Sequence, residues 1–552
     1  MRFPPPINTA DLMARFQVWF DRNFLELGRE LRLSYLPPLM VYLAAGISGL
    51  TGIVGTFFVK EYLGLSAEFL ASLAFWAMLP WTLKLPVGHL VDLIWRYKAG
   101  LVILGAGLVA SSLLIMLGLL HDRSAMENIM SAGAWYVLST LLAPVGYVIQ
   151  DVVADAMTVE AVPTTDERGL KIGEEQQRLM HSTMQTLGRV AIIAGTLLVA
   201  LVNVLMFEGV EGMTEADKIS IYRRLYALAL IIPAISCFGV VFAAYLKEKQ
   251  RRSLLGLGYT RAEVEAMTRV QTEPTTPNWW ILGGGLGFAL GTVTVGMANL
   301  AFGQEIIFVL SMGIILALLY RLTDEMDAEP RGVLVGTAIM IFFFRASPTP
   351  GPGSSWWMID VLGFDQSFMA RLALIGSVLS LTGLFLFRRF MAERSIAFII
   401  ALLTLVGTVL SLPTIGMYYG LHEWTARLTG GVVDARFIAI VDTALESPLG
   451  QIAMVPMLAW IAHSAPSHLK ATYFAVMASF TNLSLALSQL LTKYLNQIYT
   501  VTREVREPVS GLVSTPADYS ELGRLLIAVT LIGLILPLGA IAVVRALRLR
   551  SV

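Results

Sequence analysis

Apolar runs of membrane-spanning length recur in this chain from about residue 36 to its C-terminus. Roughly 20 apolar residues in a helix, rising about 1.5 Å each, cross the hydrocarbon core of a bilayer. Of 552 residues, 56% are hydrophobic and 14% charged, where a soluble chain carries about a quarter charged. The chain therefore reads as an all-α polytopic membrane protein. Fourteen spans are predicted: 36–59, 67–87, 99–120, 132–157, 180–206, 224–246, 279–299, 304–320, 332–359, 367–387, 395–418, 437–462, 469–495 and 521–547. The seventh and eighth are the weakest, being short and carrying GGGLGFALG at 283–291. Ahead of the first span, Leu12, Phe16, Trp19, Phe20 and Leu27 predict an amphipathic helix over 10–33, lying on the membrane surface.

Composition excludes several function classes. Formal net charge is zero, so there is no electrostatic footprint for nucleic acid. The single cysteine, Cys237, closes no internal disulfide and supplies no metal cluster. The six histidines form no HExxH motif, and no Walker-A loop is present. No nucleophile–base pair is legible, so neither an enzyme, a bound cofactor nor ATP-driven transport is expected. The opening MRFPPPINTADLMARF is polar and proline-rich, unlike a signal peptide.

Lysine and arginine predict orientation. One set of segments carries Arg2, Arg15, Arg22, Arg29 and Arg32, then Arg96 and Lys98, then Arg168, Lys171 and Arg178, then Lys247 to Arg269. The alternate loops of that half carry only Lys60, Arg123, Lys218, Arg223 and Arg224. The N-terminus is therefore expected in the cytoplasm. An even number of spans returns the basic tail RALRLR there too. The expected location is the plasma membrane, or the inner membrane of a Gram-negative bacterium.

An internal repeat organises the spans. FFVKEYLGLSAEFLASLA (57–74) aligns without gaps on WWMIDVLGFDQSFMARLA (356–373), an offset of 299 residues. Span one thus matches span nine. The expected layout is a cytoplasmic segment (1–35), a six-helix bundle (36–246), a linker (247–278), an inserted helix pair (279–320), a second six-helix bundle (332–547) and a tail (548–552). This is the layout of a major facilitator fold with two extra helices, whose substrate sites lie near the midplane between the halves.

A charge at the bilayer centre costs several kcal/mol unless paired or hydrated, so the deep charges are the candidate site. The repeat places Arg345 opposite Gly46, midway along span one. Pro348, Pro350 and Pro352 predict a helix broken just beyond Arg345, which is tolerated at depth where it lines a cavity. Arg189 is expected about as deep in span five. Asp442 and Glu446 share a face of span twelve, and Ser447-Pro448 loosens the helix after them. These charges either form a static pair, such as Arg345 with Glu446, or bind an anionic substrate and a coupling proton. Asp151 is a candidate to face the cavity. Asp155 and Glu160 are expected to hold cytoplasmic basic residues such as Arg96, Lys98 or Arg168. Lys84 is expected to run toward the cytoplasm. Gly88-x3-Asp92-x3-Arg96 looks like a degenerate form of the major facilitator gating signature. Trp356 and Trp357 are placed either to stack on a flat ring or to anchor at the interface.

LPWTLKLPVGHLVD (79–92), QDVVADAMTVEA (150–161), FRASPTPGPGSSWWMIDVLGF (344–364), DTALESPLGQIAMVPML (442–458) and APSHLKATYFAVMASFTNL (465–483) together resemble the folate–biopterin transporter family. The resemblance implies a major facilitator fold and secondary transport, often proton-coupled, of pterins or folates. By motif position it points to Pro80, Lys84, Asp92, Asp151, Asp155, Arg345, Asp442 and Glu446. QDVVADAM followed by VPTTDERG also resembles the muropeptide permeases, which carry two extra helices. The expected partners are a small anionic solute, a proton and the lipid bilayer. Arg345, Arg189, Asp151 and Trp356 would bind substrate. Glu446 and Asp442 would couple the proton. Lys84, Asp92, Arg96, Asp155 and Glu160 would gate. A non-transporting assembly protein on the same fold is the alternative from another class.

Overall fold

The structure is a computed structural model describing residues 31–63, 65–94, 97–163, 172–268, 277, 279–298, 300, 302–323, 328–387, 390, 394–450, 470–506, 513–547 and 549. Nearly all of the expected surface helix at 10–33, Arg96, Arg168 and residues 451–469 lie outside them.

In the first half, α1 (Leu36–Ile47) and α2 (Gly52–Tyr62) are joined by a 3-10 turn at Ser48–Thr51. The helix α3 (Ala67–Met78) passes through a 3-10 stretch, Leu79–Leu83, into α4 (Lys84–Leu93). There follow α5 (Lys98–His121), α6 (Ala132–Ala161), α7 (Glu174–Met206), α8 (Glu215–Ala229) and α9 (Ile231–Gly256). The inserted pair is α10 (Trp279–Met297) and α11 (Gly303–Thr323). The second half comprises α12 (Ala328–Arg345), α13 (Pro352–Asp360), α14 (Gln366–Leu386), α15 (Ile396–Leu410), α16 (Leu412–Tyr418), α17 (Ala435–Glu446), α18 (Lys470–Ile498) and α19 (Leu522–Ala546). Between α18 and α19 two short strands, β1 (Val505–Arg506) and β2 (Val513–Thr515), pair antiparallel.

Among the described residues, eight helical stretches are long and apolar enough to cross a membrane. Others are divided, and prolines mark the divisions. Pro80 and Pro448 each stand in the first turn after a change of helix type, and Pro413 in the first turn of α16 after α15 ends, where the missing N–H would have had no helical partner.

The repeat reappears in the backbone. Ser66 caps α3 by accepting from the Phe69 N–H at 3.0 Å. Asp365, 299 residues later, caps α14 by accepting from the Phe368 N–H at 2.7 Å. The first helix of each half is also broken at matching positions, after Ile47 and after Arg345.

Two seams join the halves: α3 packs along α18, and α7 along α14. At the first seam, Phe75 and Leu79 share a buried cluster with Met477, Phe480 and Leu483. The inserted pair covers this seam, contributing Phe288 and Ile307 to the same cluster. Its outer face leaves Trp279, Trp280, Leu286 and Met297 exposed, as a lipid-facing helix requires.

Within the first half, α1 and α7 meet backbone to backbone. A Cβ on Gly46 would lie 2.2 Å from the Ile192 carbonyl oxygen, and one on Gly195 would lie 2.7 Å from Gly46 Cα. Small residues let membrane helices approach this closely. Gly195→Val is expected to cost about 3 kcal/mol or more through overpacking, read as a lowered thermal-unfolding midpoint in detergent. Gly107→Ala, which meets nothing within 4 Å, should stay within about 0.5 kcal/mol of the parent. Equal midpoints for the two variants would contradict the close α1–α7 contact.

Candidate functional site

Breaking a helix at membrane depth frees carbonyls and amides that lipid cannot satisfy. Beyond Arg345 the chain is unwound until Pro352, and α18 supplies the missing partners. Ser488 Oγ donates to the Ser347 carbonyl at 2.7 Å. The Thr349 N–H donates to Thr492 Oγ1 at 3.0 Å, and Asn496 Nδ2 donates to the Pro350 carbonyl at 3.3 Å. These three side chains recur every four residues on one face of α18. Gly351 closes the unwound stretch at φ +75°, a conformation glycine adopts without steric cost. The side chain of Arg345 is half-buried at the C-terminal end of α12, the helix end that favours a cation.

In the first half, the 3-10 stretch before α4 brings Lys84 back into the bundle. Its Nζ lies 2.5 Å from Asp151 and 3.0 Å from Asp155, both on α6. Tyr42 of α1 donates its hydroxyl to the other oxygen of Asp155 at 2.6 Å. Arg189 on α7 is exposed, and the neighbouring Gly188 lets the Tyr42 ring lie against the α7 backbone.

This corrects two expectations. Lys84 does not run to the cytoplasm, because two carboxylates on α6 solvate its ammonium group inside the bundle. Asp155 binds Lys84 and Tyr42 rather than a rim cation such as Lys98. Glu160 is the rim carboxylate: it pairs with Lys98, and with Lys247 at 3.4 Å. Asp92 lies on α4, with its side chain outside the description, and Arg96 lies outside it altogether. No local pattern marks Tyr42, which stands in the apolar run PPLMVYLAAG. By contrast, the stripe Ser488-x3-Thr492-x3-Asn496 was visible in the sequence, as polar residues at helical spacing in an apolar span.

In the second half, Asp442 and Glu446 follow each other on α17. Asp442 is half-buried and accepts from Thr414 Oγ1 at 3.5 Å. Glu446, the last residue of α17, is exposed and makes no ion pair among the described residues. The static Arg345–Glu446 pair is therefore not formed. The helix loosens into a 3-10 turn at Ser447–Leu449, whose Ser447 carbonyl accepts from Ser380 Oγ at 2.9 Å. Trp356 is 1% exposed, with the Arg503 guanidinium 5.1 Å from its ring centroid. That face is thus occupied in this conformation.

Removing Lys84 would leave two adjacent carboxylates without their cation. Breaking a buried pair costs about 3–5 kcal/mol. Because Asp155 is about half exposed (47%), Lys84→Met is expected at the low end, about 3 kcal/mol. Adding Asp151→Asn should return part of that loss in a thermal-unfolding cycle. Independent, additive effects would mean the two groups do not interact.

Residues 45–549 match the model of the BT1 family. The folate-biopterin transporter of Synechocystis sp. is 23% identical over 482 residues, covering 86% of this chain and 78% of that protein. Among solved structures, a mutant of the peptide transporter POT superposes with a TM-score of 0.59 at 16% identity, over 94% of this chain and 95% of that one. A POT family transporter in complex with 5-aminolevulinic acid gives 0.58 at 12% identity, over 93% and 96%. At these identities the two structures speak for the major facilitator fold alone. Of the two family resemblances in the sequence, the match supports the first. The chain belongs to the BT1 family, that of the folate–biopterin transporters, and is a multi-pass membrane transporter rather than an enzyme.

Proposed function

We propose that the chain is a secondary active transporter of an anionic organic solute of the folate or pterin class, coupled to protons and working by alternating access. The observation that carries this reading is the broken first helix of the second half, with a cation at the break and its freed backbone held by α18. Half-helix ends and unwound backbone at membrane depth are where transporters of this repeat architecture hold solutes. Arg345 and Arg189, one from each half, would take the anionic groups, and Asp151 would lie beside them. The name of the Synechocystis relative supports the substrate class.

Of the two carboxylate pairs, Asp442 and Glu446 suit proton coupling better. Asp151 and Asp155 share the Lys84 ammonium, whereas Glu446 has no paired cation among the described residues. Asp442, half-buried one turn before it, likewise makes no ion pair among the described residues. Residues 36–246 would rock against 332–547. The lysine and arginine bias supports cytoplasmic termini, and the membrane would be a plasma membrane or a bacterial inner membrane.

Radiolabelled uptake into proteoliposomes tests this. Folate or biopterin should enter with an inward proton gradient, and Arg345→Ala should reduce entry at least tenfold. Glu446→Gln should abolish gradient-driven uptake and retain substrate exchange. Uptake of an anhydro-muropeptide in place of folate would overturn the substrate class, and pH-dependent uptake by Glu446→Gln would remove Glu446 as the carrier.

A further inference from the structure

Three of the polar bridges that cross between the halves lie at one end of the bundle, where α2 ends and α3 begins. Lys60 of α2 pairs with Asp360 of α13 at 2.5 Å. Gln366 of α14 donates to the Tyr222 hydroxyl of α8 at 2.7 Å. Gln497 of α18 donates to Glu68 of α3 at 2.6 Å. The halves are closed on each other at this end.

The long connection between α18 and α19 sits over the same place. Thr502 and Asp518 exchange backbone hydrogen bonds at 3.0 Å each, pinning the base of the β1–β2 ribbon. One residue on, Arg503 turns inward and is 3% exposed. Its Nη1 donates to the Val59 carbonyl in the last turn of α2, a helix end that attracts a cation. Its guanidinium lies over the Trp356 ring of α13, a cation–π contact. Asp360 beside it is engaged by Lys60 and by the Tyr519 hydroxyl. A side chain from the second half thus grips a backbone atom of the first.

The grip is incomplete. Arg503 Nε and Nη2 are buried without a hydrogen-bond partner among the described residues. Unsatisfied buried donors penalise the state that buries them, so this closure is one that water can compete with. Burial lowers the guanidinium to about 10, with Tyr519 and Asp360 pulling it back up, and it stays charged at neutral pH.

We propose that Arg503 is the gating residue of this end: its charge and its bond to the Val59 carbonyl hold the closed state, and the donors left unmet among the described residues keep that state releasable. The inference rests on the transporter reading only for its purpose, and its test needs no substrate.

In a Cys237→Ser background, Tyr222→Cys and Gln366→Cys report closure through a short bifunctional thiol reagent in proteoliposomes. The parent should cross-link in high yield. Arg503→Gln should lower the yield at least threefold, and Arg503→Lys, which keeps the charge and one donor nitrogen, should retain most of it. If the glutamine variant is not monodisperse, Arg503→Met, similar in length but uncharged, takes its place. Equal yields in the parent and the neutral variant would overturn the proposal. So would a lysine variant as poorly linked as the neutral one, since packing alone would then explain the effect. Failure of folate uptake would leave the cross-linking result untouched.

Discussion

Inside a bilayer, a backbone carbonyl that loses its helical donor has no water to turn to. The unwound stretch after Arg345 exists because Ser488, Thr492 and Asn496 meet it from α18. Everything distinctive about the second half follows from that arrangement. The arginine can stand at a helix end in the interior rather than at the surface, the chain can turn at Gly351, and α13 can begin with proline. The first half solves the same problem differently. Its break after Ile47 is a single 3-10 turn, which keeps i→i+3 hydrogen bonds within the chain and needs no outside stripe. Two repeats of one ancestral pattern thus differ in how far the break has opened.

Much of this was legible in the sequence, for reasons that can be named. Apolar length predicts spans because lipid thickness leaves little choice. The gapless match of 57–74 with 356–373 aligns Ser66 with Asp365, and the two residues cap α3 and α14 in the same way. The break beyond Arg345 followed from prolines that cannot donate. What was lost was lost where direction, not position, decides. The 3-10 stretch at Leu79–Leu83 has three residues per turn rather than 3.6, so Lys84 emerges on another face than a continuous helix gives it. Tyr42 and Arg503 meet partners over a hundred residues away in sequence, and no local periodicity encodes such a meeting.

The charges also sort by company. Lys84 binds two carboxylates and Glu160 gathers two lysines, so each carboxylate in these clusters has a cation beside it. Asp442 and Glu446 stand beside each other with a threonine hydroxyl for company. Two adjacent carboxylates with no cation among the described residues concentrate the response to a changed charge at that one place.

The inserted pair adds a mechanical term. Its α10 backbone at Gly285 lies against Pro86, and Gln304 of α11 donates to the Ser72 carbonyl at 3.0 Å, both in the first half. The next residue, Glu305, accepts from Lys493 at 3.3 Å and from the Tyr494 hydroxyl, both in the second half. Two adjacent residues therefore tie the hairpin to opposite sides of the α3–α18 seam. Any motion that parts α3 from α18 must break one of these ties or carry the hairpin with it. The hairpin is a strap across a joint: it walls that seam from the lipid and sets how far the joint can open before a bond gives way.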